Sequence, residues 1–84
     1  MAEEKELIGK VTHYFSKIGV AVIELSDNLK VGDEISIEGT ATNISQKVDS
    51  MQIEHKNVQK AVKGESVGLK VSDRVREGDL VFRL

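Results

Sequence analysis

The chain has 84 residues, 39% hydrophobic and 31% charged, with no cysteine, no proline and a formal net charge of -2. That length supports one domain burying roughly 60 to 65% of its unfolded surface, and without cysteine neither disulfides nor a Cys-based zinc site can stand in for a closed core. The near-neutral charge argues against strong non-specific nucleic-acid binding, which draws on many Lys or Arg contacts to phosphate.

Met1 to Glu6 carries three acids and no apolar run, the opposite of a secretory signal, and no stretch approaches the ~20 apolar residues of a membrane span. The expectation is a soluble, cytoplasmic protein with a disordered tail over residues 1–5 and a single domain over 6–84. Leu7 to Tyr14 reads as a first strand, bent at Gly9, because glycine inside a strand marks a bend or a close backbone approach. Ile18 to Leu25 is a second. Its phase is set by Glu24, whose carboxylate is costly to bury, so Ala21, Ile23 and Leu25 point inward. Val20 and Val22 then fall on the other face, either covered by the tail or forming an exposed apolar strip.

Asp27 and Asn28 supply turn chemistry, and a tight Gly32-Asp33 turn opens the next strand, with Ile35 and Ile37 inward and Glu34, Ser36 and Glu38 wet. This element is repeated. Val75, Gly78, Asp79 and Val81 reproduce the spacing of Leu29, Gly32, Asp33 and Ile35. Between the two, Thr42 to Glu54 reads as one long strand whose change of phase, from Ile44, Gln46 and Val48 to Met51 and Ile53, predicts a β-bulge near Asp49 and Ser50. His55 to Gly64 has the spacing of a helical turn or an irregular loop. Ser66 to Val71 is a strand with Val67, Leu69 and Val71 inward, Asp73 to Val75 a short piece, and Asp79 to Leu84 the last strand. Six or seven short strands with regular turn signals predict an all-β barrel or sandwich, and closure favours the barrel because a small core cannot spare exposed sheet edges.

Catalytic chemistry is sparse. His13 and His55 lie far apart in sequence, no acid is placed beside His13 and Ser16, and Gly9-Lys10 is followed by Val11, which excludes a phosphate-binding loop. The expectation is a non-enzymatic chain without cofactor, metal or nucleotide. For RNA, the candidate positions are His55, Lys56, Lys60 and Lys63, joined by Lys47 and Lys70. They have no aromatic interleaving, and Tyr14, Phe15 and Phe82 are the sole aromatics, so the same lysines also suit an ordinary solvated loop.

The ordered set Leu29-Lys30-Val31-Gly32-Asp33-Glu34-Ile35, then Val48 and Met51, then Val58, Ala61 and Gly64, then Val67-Gly68-Leu69, then Gly78-Asp79 resembles the second domain of translational GTPases such as elongation factor Tu and initiation factor two. A similar barrel ends some collagenase-like peptidases. The resemblance spans about Ile8 to Phe82 and implies a small closed six-stranded antiparallel β-barrel, while the catalytic domains of both families have no counterpart in this chain. Its leading implication is a translation-factor-like binding module that docks on tRNA, rRNA, the ribosome or a translation-related protein. The alternative is an accessory subunit of a peptidase or modification enzyme that docks through Val20 and Val22 without touching RNA.

Overall fold

Alternating apolar and polar residues build strands throughout residues 5–84, the part of the chain that the computed structural model describes, and no helix interrupts them. The strands are β1 (Glu6–Phe15), β2 (Val20–Leu25), β3 (Leu29–Lys30), β4 (Glu34–Glu38), β5 (Asn43–Lys47), β6 (Met51–Ile53), β7 (Lys56–Val58), β8 (Lys60–Ala61), β9 (Ser66–Lys70) and β10 (Leu80–Arg83). Eight form one antiparallel sheet in the order β5-β4-β10-β1-β2-β9-β6-β7, and β3 pairs with β8 in a separate two-stranded ladder. Of the tail expected over residues 1–5, all but Lys5 lies outside the described residues.

The fold is all-β and barrel-like, but it is a curled half-barrel rather than the closed six-stranded barrel expected. No ladder joins the outer strands β5 and β7. A side chain ties β5 to the end of β9 instead: the Gln46 amide donates to the Lys70 carbonyl at 2.9 Å and accepts from the Ser72 amide at 2.8 Å. Ile8, Val11, Ile23, Ile35, Ile37, Val67 and Val81 are fully buried within the curl, each contributing roughly 1.5 to 3 kcal/mol of hydrophobic burial.

The expected long strand is two strands. The chain leaves the sheet at residues 48–50, and β6 pairs with β7 and β9 instead of continuing beside β4. The phase change read as a bulge is this break. Val48, buried at the break, donates its amide to the Asp33 carbonyl and accepts from the Gly32 amide, both at 2.8 Å. The helical turn or loop expected over His55 to Gly64 is also corrected: β6 and β7 form a hairpin whose two turn residues, Glu54 and His55, have φ of 51° and 67°. Hairpin turns with two positive φ favour Asn-Gly or Asp-Gly, so Glu-His carries no sequence signal for one.

The repeated turn occurs three times, the third at Ala61, Gly64, Glu65 and Val67. Gly32, Gly64 and Gly78 have φ of 99°, 92° and 92°. In each turn the following acid accepts from the amide three residues back: Asp33 from Lys30 at 3.1 Å, Glu65 from Val62 at 2.8 Å and Asp79 from Arg76 at 2.8 Å. Each turn also exchanges two backbone hydrogen bonds with a buried residue, Val48, Leu25 and Val11 respectively. The repeat is therefore a docking device, a left-handed glycine and a side-chain cap that fasten the start of β4, β9 and β10 to another part of the core.

Ser36, expected to be wet, is buried. It lies opposite Phe82 of β10, and its hydroxyl donates to Glu38 Oε2 at 2.7 Å. The Lys5 ammonium reaches the same oxygen at 2.6 Å, and these two hydrogen bonds, Lys5 first, hold the Glu38 carboxyl below its ordinary value of 4.5. A carboxyl whose value is depressed on folding adds stability above its unfolded value and loses it as pH falls through the folded value. Lys5→Gln with Ser36→Ala should flatten that acid limb: urea midpoints of the variant and the native chain should differ most above pH 4.5 and converge below it.

Candidate interaction surface

The outer face of β1, β2 and β9 is set by register. Phe15 pairs with Val20 and His13 with Val22, while across the other edge Val20 pairs with Lys70 and Val22 with Gly68. Paired residues of an antiparallel ladder share a face, so Phe15, Val20 and Val22 form one apolar strip, with Ile18 at the adjoining turn. Phe15 is 45% exposed and Ile18 63%, while Val20 and Val22 are half-buried. Gly68 keeps the strip flat, since a Cβ there would already touch Val20 Cγ1 at 3.4 Å. The 15–19 turn is held by the Gly19 amide donating to the Phe15 carbonyl at 2.9 Å, and it presents a shallow groove of about 290 Å³ lined by Tyr14, Phe15, Ser16, Lys17 and Ile18.

The basic candidates divide among separate elements. Lys47 and Lys70 end the two strands that Gln46 links, His55 and Lys56 stand at the β6–β7 hairpin tip, Lys60 is on β8, and Lys63 is in the turn before β9. All six are exposed. Lys60 has a neighbour that sequence reading missed, Lys30, its direct partner across the β3–β8 ladder. Phe15 and Ile18 were missed as well; two large apolar residues at the end of β1 and in the turn that follows were the available signal.

His13 does have an acid beside it, Glu77, with Nδ1 and Oε2 3.2 Å apart, and its ring packs on Phe15 at a centroid distance of 4.4 Å. Both side chains are more than half exposed, so neither sits in the dry pocket that acid-base work needs. Among the described residues no group of three or more His, Asp or Glu is placed to hold a metal ion. No helix of the described residues is long and apolar enough to cross a membrane.

No family model matches the chain. It is 50% identical over 78 residues to an uncharacterised protease of Methanocaldococcus jannaschii, covering 92% of this chain and 19% of that protein. It is 42% identical over 82 residues to a collagenase of Porphyromonas gingivalis, covering 95% of this chain and 23% of that protein. The crystal structure of the C-terminal domain of a candidate U32 peptidase from Geobacillus thermoleovorans superposes with a TM-score of 0.88 at 21% identity, over 94% of this chain and 92% of that one. The chain resembles the C-terminal domain of U32, or collagenase-like, peptidases. It spans about a fifth of the length of the curated relatives it matches.

The U32 likeness overturns the translation-factor expectation. These relatives are named protease and collagenase, not elongation or initiation factors. The Gly-Asp spacing that suggested a translation domain reports turn geometry: a positive φ at glycine and a capping acid serve any small barrel that launches a strand from such a turn. Fold and function separate at this point.

Proposed function

We propose that this chain is a non-catalytic accessory domain of a U32-type peptidase, which seats against the body of the enzyme through Phe15, Ile18, Val20 and Val22. The observation that carries this reading is that nearly the whole chain matches about a fifth of each larger protein named as a protease or collagenase. A module of that kind needs a face for the rest of the enzyme, and an apolar strip extending along one strand and its turn has that character. The peptidase's own chemistry belongs to the remaining four-fifths of such proteins.

Isothermal titration of this chain into the Methanocaldococcus jannaschii relative, with its matching segment deleted, tests the reading. Phe15→Ser with Val22→Asp should weaken association at least ~10-fold, the scale of losing one or two buried apolar anchors. Lys56→Glu with Lys63→Glu should leave it unchanged. Absence of association, or loss through the lysine variants alone, defeats this assignment of the surface.

A further inference from the structure

A cleft of about 410 Å³ lies between β3, β8 and the end of β10, lined by Leu29, Lys30, Lys60, Ala61, Val62 and Arg83 together with Asn28 and Asp33. Lys30 and Lys60 face each other directly in the β3–β8 register. Like charges directly opposite in a ladder destabilise it, so the free domain carries an unfavourable pair at the mouth of this cleft. Neither ammonium makes an ion pair with an acid among the described residues. The Asp33 carboxylate, which also lines the cleft, caps the Lys30 backbone amide at 3.1 Å.

Arg83 is the contrasting cation. Its guanidinium is taken up by Glu6 at 3.2 Å, Asp27 at 3.3 Å and the Asn28 carbonyl at 2.5 Å. It shapes the wall of the cleft and leaves the two lysines as the cations open to a ligand. Beneath them Leu29 and Ala61 are buried, while Val62 is 48% exposed. The recess therefore offers paired ammonium groups beside an apolar wall.

We propose that this cleft binds an acidic peptide segment, one carboxylate seated between Lys30 and Lys60 and a neighbouring apolar side chain against Val62. A peptide fits better than a nucleic acid. No aromatic residue lines the cleft to stack a base, and the chain's net charge of -2 disfavours a polyphosphate backbone beyond the cleft itself. The proposal stands apart from the accessory-domain reading, because it uses different strands and requires no peptidase.

The test is fluorescence anisotropy of the full chain with a labelled short peptide of alternating glutamate and leucine, with a glutamine-leucine peptide and an oligouridylate RNA of equal charge as separate arms. The acidic peptide should bind saturably, at least ~10-fold more tightly than either. Lys30→Glu with Lys60→Glu should abolish binding, whereas Lys10→Glu with Lys17→Glu should preserve it. Lys60→Glu alone should raise the thermal midpoint while weakening the peptide, because it converts the repelling pair into an attracting one; a merely structural lysine would not show this opposed response. Tighter binding of the RNA, equal binding of the neutral peptide, or indifference to the Lys30 and Lys60 variants would overturn the proposal.

Discussion

Gly9→Ala should lower the stability of the domain by ~3 kcal/mol, the upper part of the range for overpacked interiors, and shift its thermal midpoint by roughly 12 to 24 °C on the scale of a small domain. The cause is proximity. A Cβ on Gly9 would stand 2.7 Å from Ile23 Cγ2 and 2.8 Å from the Glu24 carbonyl oxygen. The second contact is with the backbone of β2, which is itself held by β1 and β9 on its two edges, so it cannot retreat without breaking a ladder. Ile23→Ala removes the first contact and leaves the second. Ile23→Ala alone should cost about 2 to 5 kcal/mol as a core truncation, and Gly9→Ala made on that background should cost about 0.5 to 1 kcal/mol less than in the native chain. Urea unfolding of the four proteins checks this cycle; strict additivity would mean that Ile23 is not what crowds the site.

Gly32→Val should cost about 1 to 3 kcal/mol for a different reason. Nothing lies within 4 Å of a Cβ built there, but φ is 99°, and a β-branched residue is strained in that region. The cost is torsional, so Gly32→Asn should recover much of it, since Asn tolerates positive φ far better. At Gly9, where the obstacle is space, Asn should do no better than Ala. Gly64 and Gly78 share the open surroundings and the positive φ of Gly32, and their Val and Asn variants should follow the same order. A Gly32→Val protein as stable as the native chain in thermal melts would remove the torsional account of all three turns.

Much of the architecture was legible because it depends on local rules. The alternation of Ile35 and Ile37 with charged neighbours and the inward phase of Ala21, Ile23 and Leu25 follow from period-2 geometry and the cost of burying a carboxylate, and both strands are found where expected; Gly9, read as a bend, is where β2 approaches β1 closely. The Gly-Asp turn was read twice. Its third occurrence escaped notice because Ala61 is a small residue and Glu65 replaces the aspartate, although the longer acid makes the same cap. Ser36 was misplaced because serine on an alternating strand defaults to the solvent side, whereas here Phe82 and Glu38 enclose it.

The candidate surfaces divide in the same way. Val20 and Val22 were visible as apolar residues on the wrong phase of β2, but Phe15 joins them only because the β1–β2 register places it opposite Val20. Lys60 was visible in a basic run, yet its consequential neighbour is thirty positions earlier in the chain, and only the pairing of β3 with β8 sets Lys30 against it.

By itself the amino-acid sequence determined the all-β class, the inward residues and two of the three glycine turns, because propensity, alternation and turn torsions act over a few residues. Tertiary structure decided what depends on which strand meets which: the break at residues 48–50, the Glu54-His55 hairpin, the open half-barrel in which Gln46 ties β5 to the end of β9, and the opposition of Lys30 and Lys60. Pairing between distant segments is selected by the free energy of the whole packed core, and a local pattern of apolar residues is compatible with several such pairings.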